Sequence, residues 1–279
     1  MIVHQDEILN PTIRVPPKSV VKSLCRLYHN RGKYAIKYTW NGHDFFIRHR
    51  RVTMAAAHAQ HFFHAQIKMN PHSTVQIPEL YHAWRDHDGT VYMIMEYVHF
   101  SRNQLATEEQ RARAITEIIS VPPPPGVFGS FDMDCIYHPF FNDDKAPLGY
   151  HSVEQVEAYV NRVLTFMARI MPRHLQVDFR NESLLCYLGD VRREQFPLDI
   201  KGRPWVVDFR LAGVLPESFM SYTLDVDCRH QNRFSTDARK TIPVKVSGNR
   251  LPMIWATGMI NKACDNFCEY MALINSPYH

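Results

Sequence analysis

The sequence predicts an α+β fold of two lobes: a small antiparallel β lobe that contains one helix, and a larger, mainly helical lobe. Two observations predict it. Residues 1–98 read as short strand-like segments around a single helical segment, whereas residues 99–279 are dominated by helical segments with capping residues. The chain of 279 residues is long enough for two lobes, and we expect a ligand-binding cleft between them.

The small lobe is predicted from its turns and its hydrophobic pattern. Gly32 and the Asn41-Gly42 pair break the early chain into extended segments, which is typical of an antiparallel meander. A segment rich in Ala and Gln follows and predicts a helix. The predicted elements are three strands within 19–28, 33–40 and 44–52, a helix over 53–69, and two strands within 73–84 and 90–98.

The large lobe is predicted from helix starts and stops. Thr107 with Gln110, and Ser152 with Gln155, have the spacing of capping boxes. The first predicted helix, 111–120, ends at the polyproline segment "VPPPPG". An aromatic-rich loop over 126–150 then leads to the second helix, and a last one closes the chain. These two helices are predicted over 153–171 and 251–274.

Composition and charge narrow the function classes. The net charge of +4 is small and the basic residues are dispersed except in "RHRR" at 48–51, so no nucleic-acid partner is expected. The longest apolar stretch, "VYMIMEYV", is too short to span a bilayer, and the N-terminal residues do not read as a secretory signal. We expect a cytoplasmic protein with free thiols, in which Cys264 and Cys268 are small buried hydrophobes rather than metal ligands.

Two aspartates stand out in "LGDVRREQFPLDIKGRPWVVDFRLAG", residues 188–213. Asp190 follows the apolar segment "CYL", and Asp208 follows "WVV", so each is predicted at a strand end. Strand ends beside a cleft are positions where a rigid scaffold holds catalytic acids, although an Asp that caps a turn is common. The pair is therefore a candidate active site.

With these two motifs the sequence resembles the aminoglycoside phosphotransferase and choline kinase superfamily, whose members have a kinase-like fold. "LGD" and "VVDF" match the two acidic motifs of that superfamily, and "AGVLP" after Asp208 is similar to its fungal members. The resemblance implies phosphate transfer from ATP to a small molecule, with Asp190 as the base for the acceptor hydroxyl. It implies that Asp208 and Gln195 hold Mg²⁺ on the phosphates.

The resemblance also assigns cofactor-binding residues in the small lobe. Arg48 or Lys37 would replace the strand lysine that holds the phosphates, and Glu96 lies where the last strand runs into the hinge. The usual lysine partner is missing, because 49–78 contains no Asp or Glu. Leu188 replaces the usual His, Gln195 replaces an Asn, and the phosphate loop keeps one glycine, so the ATP-site motifs are degenerate.

Three functions stay open from the sequence. The first is a small-molecule phosphotransferase with an eroded ATP site. The second is a kinase-fold protein without activity that binds a ligand or a partner. The third is an enzyme in which Asp190 or Asp208 moves protons on a small apolar metabolite, because aromatic residues of 126–150 could form an apolar pocket that raises a carboxyl pKa. A plain aromatic core is the alternative for that loop.

Overall fold

The computed structural model describes residues 6–10, 13–168, 175–225 and 234–265. The chain divides into two compact units, Met1–Glu117 with Arg193–Arg210, and Ile118–Arg192 with Leu211–His279. The sequence predicted a division after residue 98. The first unit instead extends to Glu117 and also includes the later segment Arg193–Arg210. Asp208 consequently belongs to the first unit and Asp190 to the second. Within the described ranges, no helix is long and apolar enough to cross a membrane.

The first unit is built on a five-stranded antiparallel sheet, of which the sequence predicted strands β2 to β5 but not β1. Its spatial order is β1-β4-β5-β3-β2, and helix α2 (Met54–Met69) follows β3 along the chain. The Thr53 hydroxyl caps α2 by accepting a hydrogen bond from the backbone N–H of Ala56 (3.1 Å). The strands are β1 (Glu7–Leu9), β2 (Ala35–Trp40), β3 (His43–His49), β4 (Leu80–Arg85) and β5 (Val91–Glu96).

Helix α1 (Lys18–His29) corrects the prediction of an extended segment over 19–28. Val21 and Cys25 lie one turn apart, and both are buried against the face of the sheet that carries Phe45 and Ile47. Helix α2 covers the opposite face, where Met54 packs with residues of β4 and β5. The sheet therefore has a helix on each face, and burial of the α1 stripe outweighs the strand preference of its two valines.

His49 is a buried polar residue on the α1 side of this sheet. Its ring stacks on Tyr92, with centroids 6.4 Å apart, and has its edge toward His29 at 6.3 Å. Among the described residues, neither ring nitrogen of His49 has a hydrogen-bond partner. Burial lowers the pKa of His49, and the charges of His29 and Arg50 lower it further, so the neutral ring is favoured in the fold.

A two-stranded sheet of β6 (Phe100–Leu105) and β8 (Pro197–Asp199) joins both segments of the first unit. Strand β6 was not predicted. Helix α3 (Glu108–Ile119) starts as expected, because the backbone N–H of Thr107 donates to Gln110 Oε1 (2.9 Å) and the N–H of Gln110 donates to the Thr107 hydroxyl (3.2 Å). The predicted capping box is confirmed.

The second unit is mainly helical, with one small sheet. Strand β7 (Leu184–Leu188) pairs antiparallel with β9 (Ala212–Pro216). The helices are α4 (Val153–Ala168), α5 (Glu217–Asp225), α6 (Thr236–Thr241) and α7 (Arg250–Asp265). Helices α4 and α7 confirm two predicted helices over their described parts. The predicted continuations to 171 and 274 lie outside the described residues, as do the side chains of Cys264 and Cys268.

The aromatic loop over 126–150 forms core of the second unit. His138 lies in it with 0% exposure, accepts a hydrogen bond from the backbone N–H of Phe140 at Nδ1 (3.0 Å), and contacts the Phe219 carbonyl through Nε2 (3.1 Å). The loop aromatics have the character of a packed core rather than of a pocket lining. The buried aromatic residues of the loop are Phe128, Phe131, Phe140, Phe141 and Tyr150.

Position 213 of β9 requires glycine, because the backbone of Gly129 lies close to it. The Val214 N–H donates to the Gly129 carbonyl, and the Gly129 N–H donates back to Val214, both at 2.8 Å. A Cβ atom at Gly213 would lie 2.2 Å from the Gly129 oxygen, so no other residue fits without a backbone shift. This contact ties the aromatic loop to the strand pair that leads into Asp190.

Candidate functional site

Asp190 lies at a strand end, as the sequence predicts. Strand β7 ends at Leu188, and the Gly189 N–H donates to the Leu211 carbonyl (2.6 Å), which holds the turn that presents the acid. The Asp190 side chain is 10% exposed. Both of its oxygens accept hydrogen bonds from Arg192, Oδ1 from Nε (2.7 Å) and Oδ2 from Nη2 (2.5 Å). Oδ1 also accepts the backbone N–H of Arg192 (3.2 Å).

Asp208 is not at the end of a strand, which corrects the prediction for "WVVDF". This segment forms isolated bridges instead of a strand, one between Trp205 and Gln76 and one between Pro204 and Leu198. The Val207 N–H donates a further hydrogen bond to the Gln195 carbonyl (3.3 Å). Pro204 supplies no N–H for a ladder. The buried Asp199 carboxylate accepts a hydrogen bond from Trp205 Nε1 (3.1 Å), which holds this part of the chain in a tight turn.

Two arginines flank the Asp208 carboxylate, which is 9% exposed. Arg210 donates through Nε to Oδ2 (2.8 Å) and through its backbone N–H to Oδ1 (3.1 Å). Arg48 extends from strand β3, and its Nη1 lies 3.9 Å from Asp208 Oδ1. The three side chains belong to one unit, and together they carry two positive charges and one negative charge.

Sequence reasoning missed Arg192 and Arg210, although a local signal was present. Each candidate acid is followed two residues later by an arginine, and a third pair, Asp178 with Arg180, has the same spacing outside the candidate site. Arg180 binds Asp178 in the same way, through Nε (3.1 Å) and Nη2 (3.0 Å). The Asp-x-Arg turn is therefore a recurring local structure of this chain.

The arginine contacts limit what Asp190 can do as a base. A carboxylate that takes a proton from a hydroxyl needs an oxygen lone pair directed at that hydroxyl. Here a guanidinium binds both oxygens side by side, an arrangement in which charge-assisted hydrogen bonds are strong. Arg192 thus uses one lone pair of each Asp190 oxygen, and a substrate hydroxyl would have to approach a remaining lone pair of a side chain that is 10% exposed.

The residues around Asp208 do not fit Mg²⁺ as they stand. A divalent cation about 4 Å from one guanidinium is repelled by on the order of 8 kcal/mol at an effective dielectric constant of about 20. Gln195, the other predicted ligand, is 9% exposed in a 3-10 turn, Arg193–Gln195. Among the described residues, no group of three or more His, Cys, Asp or Glu side chains is arranged to hold a metal ion.

Lys37 and Arg48 differ in their surroundings. Lys37 is 45% exposed, pairs with Asp44 (2.7 Å) and lies over the Tyr97 ring, with Nζ 4.4 Å from its centroid. Arg48 is 20% exposed and pairs in register with Met93, on the face that α2 covers. Arg48 is thus the cation that the fold places beside Asp208, whereas Lys37 is held by a surface pair.

The amides that would form a phosphate loop are already used. The segment before β2 is helix α1, and the turn that follows it caps the helix. The backbone N–H groups of Arg31 and Lys33 donate to the Tyr28 carbonyl at 3.0 and 3.1 Å, and that of Gly32 donates to the His29 carbonyl at 2.8 Å. These donors satisfy the carboxyl end of α1 and do not converge on a ligand.

Glu96, predicted to bind the cofactor, is at the end of β5. Its Oε2 accepts the backbone N–H of Glu79 (3.2 Å), and its own N–H donates to the Glu79 carbonyl (2.9 Å). Both glutamates line a cavity of about 460 Å³ within the first unit, together with Gln76 and Trp205. Glu96 therefore contributes to a polar cavity on this unit.

No family model and no curated protein matches the sequence. Solved structures do match over most of the chain. One is a protein assigned as a fructosamine-3-kinase from Haemophilus somnus, with 12% identity, a TM-score of 0.48, and 91% of this chain and 95% of that chain covered. Another is the aminoglycoside phosphotransferase APH(4)-Ia, with 14% identity, a TM-score of 0.46, and 94% and 99% coverage. A third is the choline kinase LicA from Streptococcus pneumoniae, with 10% identity, a TM-score of 0.43, and 92% and 98% coverage.

All three of these proteins are named as small-molecule kinases. The chain itself has a five-stranded antiparallel sheet with a helix after β3, and a mainly helical unit that carries Asp190.

Proposed function

We propose that this chain is a kinase-like protein that does not transfer phosphate and acts by binding a ligand. Of the three functions left open by the sequence, this one agrees best with the contacts of the two acids. The phosphotransferase reading needs Asp190 free to act as a base and needs Asp208 and Gln195 free to hold Mg²⁺.

The observation that carries the proposal is the state of Asp190. Its two carboxylate oxygens accept three hydrogen bonds from Arg192, and 10% of the side chain is exposed. The positive charge of the arginine offsets the negative charge that a phosphotransferase base uses to take a proton. The pair is local in sequence, so its formation costs little chain entropy.

Other contacts support the same proposal. The turn amides after α1 cap the helix instead of cradling phosphates, and the guanidinium of Arg210 donates a hydrogen bond to Asp208, the predicted metal ligand. The aromatic loop is packed as core, which removes the main argument for proton chemistry in an apolar pocket. The substrates named for the neighbours, an aminoglycoside, choline and a fructosamine, are reasonable acceptors to test.

The test is turnover by the full chain. ADP release from ATP and Mg²⁺ is measured with and without these three acceptors, for the wild type and for Asp190→Asn. We expect no ADP release above a protein-free blank in either protein, because neither the base nor the metal site is available.

A matched control makes the result specific. Asp178→Asn disrupts an Asp-x-Arg turn of the same geometry outside the candidate site, so it reports on the loss of such a turn alone. ADP release that persists in Asp178→Asn and is lost in Asp190→Asn would overturn the proposal and restore the phosphotransferase reading.

A further inference from the structure

Strand β2 is an edge of the five-stranded sheet, and its outer side pairs with no strand in the described part of the chain. The His49 N–H donates to the Tyr34 carbonyl (3.1 Å) just before β2. Because the direction of backbone groups alternates along an antiparallel pair, Ala35, Lys37 and Thr39 direct their N–H and C=O groups away from β3. All three residues are exposed, and these groups form no hydrogen bond with any described residue. The edge can therefore accept a further strand.

The charge around this edge is strongly positive. Residues 8–78 contain eleven Lys and Arg and a single Asp or Glu, Asp44, although the net charge of the whole chain is only +4. Asp44 is already paired with Lys37, at 2.7 Å. The positive charge of the protein is thus concentrated in the segment that contains β2.

Four basic residues lie together at the end of the edge where β2 begins. Tyr34 and His49 pair there, so the residues just before β2 and just after β3 come close to each other. We call this group the basic patch: Arg31, Lys33, Arg50 and Arg51. All four are exposed, and none of them forms an ion pair with a described residue. Arg51 lies over the Tyr34 ring, 4.7 Å from its centroid, which holds one guanidinium beside the start of β2.

An extended acidic peptide satisfies both features. The edge presents N–H donors and C=O acceptors in alternation, and only another strand pairs with both kinds of group. A nucleic acid would repel the carbonyls, because its phosphates are acceptors only. Carboxylates at one end of the peptide would form charge-assisted hydrogen bonds with the basic patch.

A second copy of the chain fits this edge less well. If all three outward residues pair about a twofold axis, Lys37 lies directly opposite the Lys37 of the other copy. Like charges in that position are destabilising, and an edge lysine is a common protection against self-pairing. The edge therefore favours a foreign acidic strand.

We propose that the β2 edge and the basic patch bind an extended acidic segment of a partner protein, which adds to the sheet as a sixth strand antiparallel to β2. Ile36, Tyr38 and Trp40 share one face of the sheet, so apolar side chains of the partner extend that face. The partner's carboxylates continue past the start of β2 onto the basic patch. This binding goes beyond the proposed function and does not involve Asp190 or Asp208, so it holds whether or not the chain transfers phosphate.

The test uses the full chain and a fluorescein-labelled peptide, Val-Thr-Val-Glu-Val-Thr-Glu-Glu. Antiparallel pairing places its first residue opposite Trp40, its central glutamate opposite Lys37 and its last residue opposite Lys33. We expect saturable binding by fluorescence anisotropy at peptide-accessible protein concentrations, with a Kd below about 1 mM.

Methylation of peptide nitrogens tests the backbone pairing directly. The second, fourth and sixth residues direct their N–H groups at β2, so N-methylation of these three should weaken binding about 10-fold or more. N-methylation of the third, fifth and seventh residues blocks only the outer side of the added strand. That matched peptide should bind like the unmodified one.

Variants of the chain test the two parts of the site. Ala35→Pro removes an outward N–H at the first residue of an edge strand, where proline is tolerated, and should weaken binding about 3-fold or more. Replacing Arg50 and Arg51 together by Gln should weaken it about 5-fold. Lys240→Gln, a change at an exposed lysine of α6, is the control and should have no effect.

A double-mutant cycle locates the acidic end of the peptide. Replacing its two final glutamates by glutamine should cost about the same 5-fold, with no further loss when the chain also lacks Arg50 and Arg51. Additive losses would mean that the glutamates lie elsewhere.

Four outcomes would overturn the proposal: no saturable binding, equal binding by the two N-methylated peptides, equal competition by pentaglutamate, or additive losses in the cycle. A dimer in sedimentation velocity that Ala35→Pro dissociates would assign the edge to a second copy instead. Because the peptide comparison needs no variant, the proposal stays testable if Ala35→Pro fails to fold.

Discussion

Replacing Arg48 by methionine should make the ligand-free protein slightly more stable. This is unusual for the removal of a buried ion pair, which commonly leaves the other charge without a partner. Here Asp208 keeps two hydrogen bonds from Arg210, at 2.8 and 3.1 Å, so the carboxylate stays neutralised. Methionine has a similar length and keeps the apolar contact with the face covered by α2.

The magnitude follows from two opposing contributions. Attraction over 3.9 Å contributes about 4 kcal/mol at an effective dielectric constant of about 20. Taking a guanidinium out of water costs several kcal/mol, and the like charge of Arg210 adds to that cost. These two contributions nearly cancel, and the buried methionine adds apolar contact. We therefore expect Arg48→Met to raise the free energy of unfolding by about 1 kcal/mol. For a chain of this size that corresponds to a rise in Tm of about 2–4 °C.

Urea and thermal unfolding of Arg48→Met and Arg210→Met check this reasoning. Arg210→Met loses a hydrogen bond of 2.8 Å from a partly exposed side chain, so we expect it to lose about 1 kcal/mol. A loss of more than about 2 kcal/mol in Arg48→Met would refute the argument, since it would mean that Arg48 is already well compensated.

Three other predictions test separate parts of the structure. Because burial lowers the pKa of His49 from 6.5, the unfolded chain binds more protons than the folded chain in mild acid. Stability should therefore fall as the pH drops below about 6.5, and His49→Phe should reduce that fall in urea titrations at pH 7.5 and 5; an unchanged slope would contradict it. Arg192→Leu removes the guanidinium that binds the nearly buried Asp190 carboxylate, so we expect a loss of about 2 kcal/mol in unfolding free energy and no gain in ADP release. Gly213→Ala places a Cβ atom 2.2 Å from a carbonyl oxygen and should cost about 3 kcal/mol, whereas Gly258→Ala, in an open position of α7, should gain about 0.5–1 kcal/mol; equal stabilities would contradict the close approach.

The sheet and the later helices could be predicted because their signals are local. The turn at Asn41-Gly42, the alternation in β3 and the Thr107 capping box each specify structure within a few residues. Helix α1 could not be identified in this way. Its two valines favour a strand, and its buried stripe of Val21 and Cys25 is short, so the decisive factor is the sheet face that it covers.

In the candidate site, too, the features set by neighbouring residues could be predicted, and the contacts between distant residues could not. The position of Asp190 was predictable from the apolar strand before it. The strand expected before Asp208 does not form, because Asp199 and Pro204 bend that segment. The approach of Arg48 to Asp208 joins residues far apart in the sequence, so no spacing rule could have indicated it. Arg192 and Arg210 are different, since an arginine two residues after each acid was there to be noticed.

The helix on each face of the five-stranded sheet has a consequence for how fast a ligand can exchange. A flexible hairpin over a binding site sets ligand entry and release by its opening and closing. Here the residues before β2 form α1, packed by Val21 and Cys25, and the following turn is tied to the helix end. A ligand that binds this unit should therefore enter and leave without the opening of a hairpin before β2, so its association rate constant should be set by diffusion and charge attraction.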